Sequence, residues 1–136
     1  MVTNKLFVYG TLMGNFDSPI ARSLQQHSNF LGEGLLRGRL FDLGHYPGAV
    51  YEADAQTWVK GHIFQLHQPE TLFPLLDNYE GIGGNFPSPN EYTRSLVPVL
   101  QTGQTLICYC YVYNLSTAPL TCITSGSYLE YLSIGR

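Results

Sequence analysis

Near its start the chain reads Phe7-Val8-Tyr9-Gly10-Thr11-Leu12, a β-rich run that stops at a glycine and a hydroxyl residue. Because Gly10 has no Cβ, the backbone can turn sharply there or let a ligand approach it closely. Thr11 adds a hydroxyl beside the exposed backbone amides, and such groups together suit an anion or a polarised carbonyl. The alternative interpretation is that Gly10 merely ends an edge strand. The rest of the sequence has to decide between the two.

Length and composition favour one sheet-rich domain. The chain has 136 residues, of which 44% are hydrophobic and 12% are charged. This is enough for one well-filled core and too little for two ordinary domains, so we expect a single domain over residues 1–136. Ten tyrosines and seven phenylalanines lie in short runs broken by fourteen glycines and eight prolines. That pattern favours strands and tight turns over long helices.

Charge and cysteine usage exclude several classes of partner. The net charge is −3 and no cluster of Lys or Arg is present, so we expect no nucleic-acid partner. Neither an apolar signal region after Met1 nor a run of 18 apolar residues occurs, which predicts no membrane partner and a cytoplasmic location. The three cysteines argue against a disulfide framework. Cys108 and Cys110 would share one strand face and pack as small hydrophobes, and we expect no metal site.

Turn residues and apolar runs predict the order of the elements. A helix should begin at Asp17-Ser18-Pro19, with Pro19 at its first position. The glycines inside the run 30–43 predict a long strand with bulges or bending. The other expected strands cover residues 5–11, 49–53, 57–66, 91–100 and 104–115, the last two joined as a hairpin across Gln101-Thr102-Gly103.

A helix is also expected from Pro69, although Pro74 lacks the N–H that a continuous helix would use. Either the helix breaks and a new one starts at Pro74, or one bent helix continues through it. Both alternatives end at Tyr79-Glu80-Gly81, so Glu80 falls at the terminus of an element. A carboxylate in that place can point into a pocket.

Glu80 is the carboxylate that the sequence singles out. It follows an apolar stretch, and desolvation at the edge of the core would raise its pKa toward that of a useful general base. The alternative is an ordinary exposed glutamate at a helix end. Asp77 is the competing carboxylate, and its commoner role in such a place is as a helix or turn cap.

Two separated motifs together resemble those of the γ-glutamylcyclotransferase-like family. They are Val8-Tyr9-Gly10-Thr11-Leu12 and Leu76-Asp77-Asn78-Tyr79-Glu80-Gly81. The resemblance continues over most of the chain and in the same order. It includes the strand and Gly-x-Tyr-Pro turn of residues 38–50, Gly61 before the next strand, the Tyr-x-Arg strand at Glu91-Tyr92-Thr93-Arg94, and the closing Ser125-Gly126 turn.

This resemblance implies a mixed α+β fold, in which a small barrel-like β-sheet flanked by short helices carries one cavity. It also implies an enzyme that releases 5-oxoproline from a small γ-glutamyl amine or related amide, without a cofactor or a covalent protein nucleophile. The substrate's own α-amino group would attack its γ-carbonyl carbon. Glu80 would be the general acid and base, and backbone N–H groups of Gly10, Thr11 and Leu12 would hold the substrate's polar oxygens.

Several positions have two interpretations at this stage. Tyr9, Tyr46 and Tyr113 are candidate phenol donors to the substrate, and the alternative for each of them is core packing. Met13 stands where relatives often have Lys or Arg, which would alter the anionic group preferred. The segment 83–90 either covers the pocket or forms an ordinary surface turn.

Two other functional classes remain open on sequence alone. The first is a non-catalytic small-molecule binding module that keeps the same fold and cavity. The second is an interaction domain, which predicts a closed cavity and an exposed apolar patch. The sequence identifies neither the leaving amine nor the oligomeric state.

Overall fold

The computed structural model describes residues 2–10, 12–13 and 18–134. The strands in this part of the chain are β1 (Lys5–Val8), β2 (Ser28–Asp42), β3 (Pro47–Tyr51), β4 (Trp58–Leu66), β5 (Tyr92–Gln101), β6 (Gln104–Tyr113) and β7 (Thr121–Cys122). The helices are α1 (Pro19–Gln26), α2 (Pro69–Tyr79) and α3 (Tyr128–Ser133). Over the described ranges, no helix combines the length and the hydropathy needed to cross a bilayer.

Five strands form a closed ring. Their order is β2-β4-β1-β6-β5, and β5 returns to β2 through a pairing of Leu35 with Leu100. The β1–β6 pair is parallel, and the other pairs of the ring are antiparallel. β3 and β7 both pair with β2 outside the ring. This confirms the expected barrel-like sheet flanked by short helices.

The long strand β2 bends because of its glycines. Its register against β4 shifts between Phe30 and Gly32, and Gly32 has a φ of +118° that favours glycine. The bulge predicted from glycines within residues 30–43 is therefore confirmed, although the strand begins and ends slightly earlier. Bending lets one strand pair with β4, β5, β3 and β7 in turn.

The two helix predictions are confirmed where the structure describes them. Pro19 is the first residue of α1, and the Oγ of Ser18 accepts a hydrogen bond of 3.2 Å from the N–H of Ala21. Asp17 lies outside the described residues. α2 continues through Pro74, so the alternative of a single helix is correct. Its buried residues hold it against the barrel despite the missing hydrogen bond, namely Leu72, Phe73 and Leu76.

The β5–β6 hairpin is confirmed with a two-residue turn. Thr102 and Gly103 both have positive φ, at 35° and 78°, which is the backbone that suits the twist of a tight hairpin. Cys108 and Cys110 are fully buried in β6, as expected for small hydrophobes. The other predicted strands are observed with shifted ends.

β1 is shorter than predicted, because it ends at Val8 rather than at residue 11. Tyr9 and Gly10 therefore already belong to the loop that follows it. The end of β1 packs closely against β4, since a Cβ on Gly61 of β4 would lie 2.3 Å from the Val8 carbonyl oxygen. Only glycine allows β4 and the end of β1 to approach each other this closely.

Candidate functional site

A cavity of about 610 Å³ lies beside the end of β1. That volume is within the usual range of small-molecule sites. Its wall is built from the β1 end and following loop, the β2–β3 turn, the end of α2, the segment leading to β5, and parts of β5 and β6. Among the residues singled out from sequence, the wall includes Tyr9, Gly10, Leu12, Tyr46 and Glu80. The structure thus brings the N-terminal loop and the mid-chain glutamate to one cavity.

Glu80 reaches this cavity because of the way that α2 ends. Gly81 has a φ of +76°, and its N–H donates to the Asn78 carbonyl at 3.2 Å. The Ile82 N–H donates to the Asp77 carbonyl at 2.9 Å. These two bonds make a Schellman ending, in which the glycine reverses the chain directly after the last helical residues. Glu80 is the C-cap, so its side chain leaves the helix at the point where the chain turns away.

The environment of Glu80 disfavours its ionised form. Burial raises the pKa of the Glu80 carboxyl from its usual value of 4.5 to about 7, and the neighbouring charges of Glu91 and Asp77 act in the same direction. No described residue forms a hydrogen bond or an ion pair with its carboxyl group. A carboxylate with a pKa near neutrality facing a cavity can both accept and return a proton at physiological pH.

Asp77 is engaged elsewhere, and the interpretation of its side chain as a cap is wrong. Its Oδ1 accepts a hydrogen bond of 2.6 Å from the hydroxyl of Tyr111 and lies 3.1 Å from Nε of Arg94. The Arg94 guanidinium also stacks over Phe73, 4.1 Å from the ring centre. These contacts tie the end of α2 to β5 and β6, which fixes the position of Glu80 one helical turn later.

Gly10 is required by a close approach within the protein. A Cβ at this position would lie 2.8 Å from Cγ of Pro47, which belongs to the Gly-x-Tyr-Pro turn. The Gly10 carbonyl accepts a hydrogen bond of 3.1 Å from the N–H of Met13, so the chain turns here. Leu12 reaches the same cavity. Thr11, which the sequence placed beside them, lies outside the described residues.

The three tyrosines have different roles. The Tyr9 hydroxyl donates to the Tyr111 carbonyl at 2.5 Å and accepts from the Ala49 N–H at 3.2 Å, so its proton is used within the protein. Tyr46 is 39% exposed, which makes the core-packing alternative wrong for this residue. Tyr113 is not part of the cavity wall and packs edge-on against Tyr92, with ring centres 6.0 Å apart.

Sequence reasoning missed Glu91 as a site residue. Its carboxylate lines the cavity and accepts a hydrogen bond of 2.7 Å from the Tyr46 hydroxyl. The segment 83–90 leads directly into it, and Phe86, Pro87 and Pro89 of that segment form part of the wall. Of the two alternatives for this segment, the structure therefore favours the one in which it borders the pocket. The sequence did contain one indication of this role, which is that Glu91 lies between the segment 83–90 and the Tyr-x-Arg strand.

Met13 does not contribute to this wall. Its side chain is buried, and it lines a second cavity of about 540 Å³ together with Lys60 and His62. The sequence-based link between Met13 and the anionic group of a substrate finds no support in this geometry. Among the described residues, no group of three or more His, Cys, Asp or Glu side chains is arranged to hold a metal ion.

Relatives of known family share this architecture. The sequence matches the family model described as "Gamma-glutamyl cyclotransferase, AIG2-like" over residues 6–130. It is 29% identical over 133 residues to "Gamma-glutamylcyclotransferase family protein ytfP" of Citrobacter rodentium (strain ICC168), with 93% of this chain and 96% of that protein covered. The solution NMR structure of ytfP from Escherichia coli is 27% identical, covers 93% of this chain and 96% of its own, and has a TM-score of 0.64.

A longer structural neighbour contains the same fold as one part of its chain. The crystal structure of YkqA from Bacillus subtilis has a TM-score of 0.73 and is 23% identical to this chain. The match covers 98% of this chain but only 42% of YkqA. At that identity the likeness concerns the fold alone.

Proposed function

This chain belongs to the gamma-glutamyl cyclotransferase, AIG2-like family, and from that premise we propose that it releases 5-oxoproline from a γ-glutamyl amine or a related small amide. The observation that carries the proposal is the desolvated Glu80 carboxyl in the same cavity as the loop of Gly10 and Leu12. One domain would contain the whole site.

The reaction begins when the Glu80 carboxylate takes a proton from the substrate's α-ammonium group. An amine is nucleophilic only when it is unprotonated, and a base with a pKa of about 7 suits this transfer. The α-nitrogen then attacks the γ-carbonyl carbon and closes a five-membered ring. Because both groups belong to one molecule, holding the chain bent removes part of the entropic barrier.

Collapse of the tetrahedral intermediate breaks the bond between the γ-carbon and the leaving nitrogen. Two protons leave the α-nitrogen over the reaction, and both end on the departing amine, with Glu80 as the carrier. No water is consumed, and the products are 5-oxoproline and a protonated amine. Backbone N–H groups of Gly10 and Leu12, two residues that line the cavity, would stabilise the oxyanion.

A direct test is to incubate the purified protein with a panel of γ-glutamyl amides and to quantify 5-oxoproline by mass spectrometry. We expect product from at least one γ-glutamyl amine and none from the α-glutamyl isomers, because only the γ-linkage brings the amine and the carbonyl together for this ring. Tight binding of a γ-glutamyl compound without product would instead support the non-catalytic binding module.

The pH dependence should report Glu80. Since the carboxylate form accepts the first proton, kcat/KM is expected to rise with pH and to level off above about 7, following the pKa of the free enzyme's base. The measurement is a kcat/KM profile between pH 4.5 and 8.5 at constant ionic strength. An acid limb centred near the usual glutamate value of 4.5 would contradict the assignment.

A further inference from the structure

The cavity wall has an unusual set of charges for a site that takes an amino-acid derivative. Its ionisable carboxyl groups are Glu80 and Glu91, and His45 is also present. Neither Lys nor Arg belongs to the described wall. The two carboxyl groups are close enough for the charge of Glu91 to raise the pKa of Glu80. The field inside this cavity therefore favours cations and opposes additional anionic groups.

Glu91 has a fixed orientation and spare acceptor capacity. One carboxylate oxygen accepts the hydrogen bond of 2.7 Å from the Tyr46 hydroxyl. That bond raises the pKa of Tyr46 to about 12, so the phenol stays protonated and keeps donating at neutral pH. Glu91 forms no ion pair with a described residue. Its second oxygen can accept from a ligand.

Aromatic side chains also line this cavity. Tyr46 and Tyr79 are 39% and 45% exposed, and both line the cavity together with Phe86. An ammonium group is attracted to the faces of aromatic rings and to a carboxylate, and the combination is stronger where water is partly excluded. Glu80 lines the same cavity, and its desolvated carboxyl has no hydrogen-bond or ion-pair partner among the described residues, so it is available to a ligand.

We infer that Glu91, oriented by Tyr46, selects substrates whose leaving amine carries a second positive charge. The substrate class is then γ-glutamyl derivatives of diamines and similar cationic amines, in preference to neutral amines and to amines bearing a carboxylate. This inference rests on the proposed function, since it assigns the leaving-group side of the same cavity. Glu80 serves the α-ammonium group, and Glu91 serves the distal ammonium group.

Three substrates of similar length separate the effect of charge from that of size. They are the γ-glutamyl amides of n-butylamine, 1,4-diaminobutane and 4-aminobutyrate. We expect kcat/KM to be about tenfold higher for the diaminobutane derivative than for the butylamine derivative, as one charge-assisted contact predicts. The aminobutyrate derivative should be the poorest of the three. The preference should also shrink at high salt, because the cavity is open to screening.

Substitution of Glu91 tests the residue itself. Glu91→Gln is expected to reduce the diaminobutane preference to about one. The readout is the ratio of kcat/KM between the diaminobutane and butylamine derivatives, because the charge of Glu91 also raises the pKa of Glu80 and its removal can change the rate on all substrates by a common factor. Tyr46→Phe keeps the charge and removes the orienting hydrogen bond, so part of the preference should remain. Glu33→Gln is the matched control, because it neutralises an exposed carboxylate outside this cavity and should leave the preference intact.

The outcomes distinguish this inference from the function on which it rests. Absence of 5-oxoproline from all three substrates would overturn the proposed function. Turnover of the butylamine derivative without any charge preference would overturn the assignment of Glu91 alone. An equal decrease of kcat/KM for all three substrates in Glu91→Gln would also overturn it. Glu91 would then act on the γ-glutamyl group that the three substrates share. Circular dichroism and thermal unfolding show whether the Glu91→Gln variant is folded.

Discussion

Glu80→Gln is expected to lower kcat for 5-oxoproline release by about 10²- to 10⁴-fold, which is the usual contribution of a positioned general acid and base. Glutamine fills nearly the same volume and cannot accept the proton of the α-ammonium group. Since the substrate would still meet the Gly10–Leu12 loop and the aromatic wall, KM should change much less than kcat. The measurement is steady-state kinetics on the best substrate of the panel.

The control for this experiment is Glu33→Gln, which makes the same chemical change on the exposed surface and should retain full activity. Circular dichroism and thermal unfolding of each variant show whether the fold is kept. Full activity of Glu80→Gln would remove Glu80 from the mechanism. An equal loss in the Glu33 variant would show that the effect is not specific to the cavity.

The strands and the helix ends could be predicted because local residues determine them. Pro19 fits only a first helical turn, and Thr102-Gly103 supplies the positive φ that the hairpin needs. The position of Glu80 at a helix end followed from Gly81 in the same way. These features depend on neighbours within a few residues, and the sequence displays those neighbours directly.

The parts that sequence could not predict depend on contacts between distant residues. Position 10 requires glycine because Pro47 packs against it, and no residue near Gly10 in the sequence indicates this contact. Asp77 binds Arg94 and Tyr111 from two other strands, so its local likeness to a cap was misleading. Glu91 meets the cavity only because the segment before it folds over as part of the wall.

The closed ring belongs to the same category. The pairing of Leu35 with Leu100 joins β2 to β5 across much of the chain, and a bulge in β2 makes it possible. The glycines in residues 30–43 predicted that this strand bends, but they did not predict that it would pair with β5. The family resemblance implied a barrel-like sheet but did not identify this pairing.

Glu80→Gln should also stabilise the protein, by an amount that depends on pH. The pKa of Glu80 is about 7 in the folded state and near its usual 4.5 when the chain unfolds. Between these values the folded protein binds a proton that the unfolded chain has lost, so the free energy of unfolding decreases as pH rises. Above about pH 7 the wild-type protein has lost about 3 kcal/mol through this residue.

Glutamine does not titrate, so the free energy of unfolding of the variant does not decrease through this residue as pH rises. Urea denaturation should show little stability difference between Glu80→Gln and the wild-type protein at pH 4, and an advantage of the variant that approaches 3 kcal/mol at pH 8. The exposed Glu33→Gln control should stay within about 0.5 kcal/mol at both values. A difference that is the same at pH 4 and pH 8 would contradict the desolvation of Glu80.

The two effects of this one substitution have opposite signs, and that opposition bears on function. A carboxyl group that lowers the stability of the folded state at neutral pH has no structural reason to be in the cavity, and an amide would serve the fold better. Loss of turnover together with a gain in stability is the pattern expected of a group placed for chemistry. Loss of both would indicate instead that Glu80 supports the end of α2.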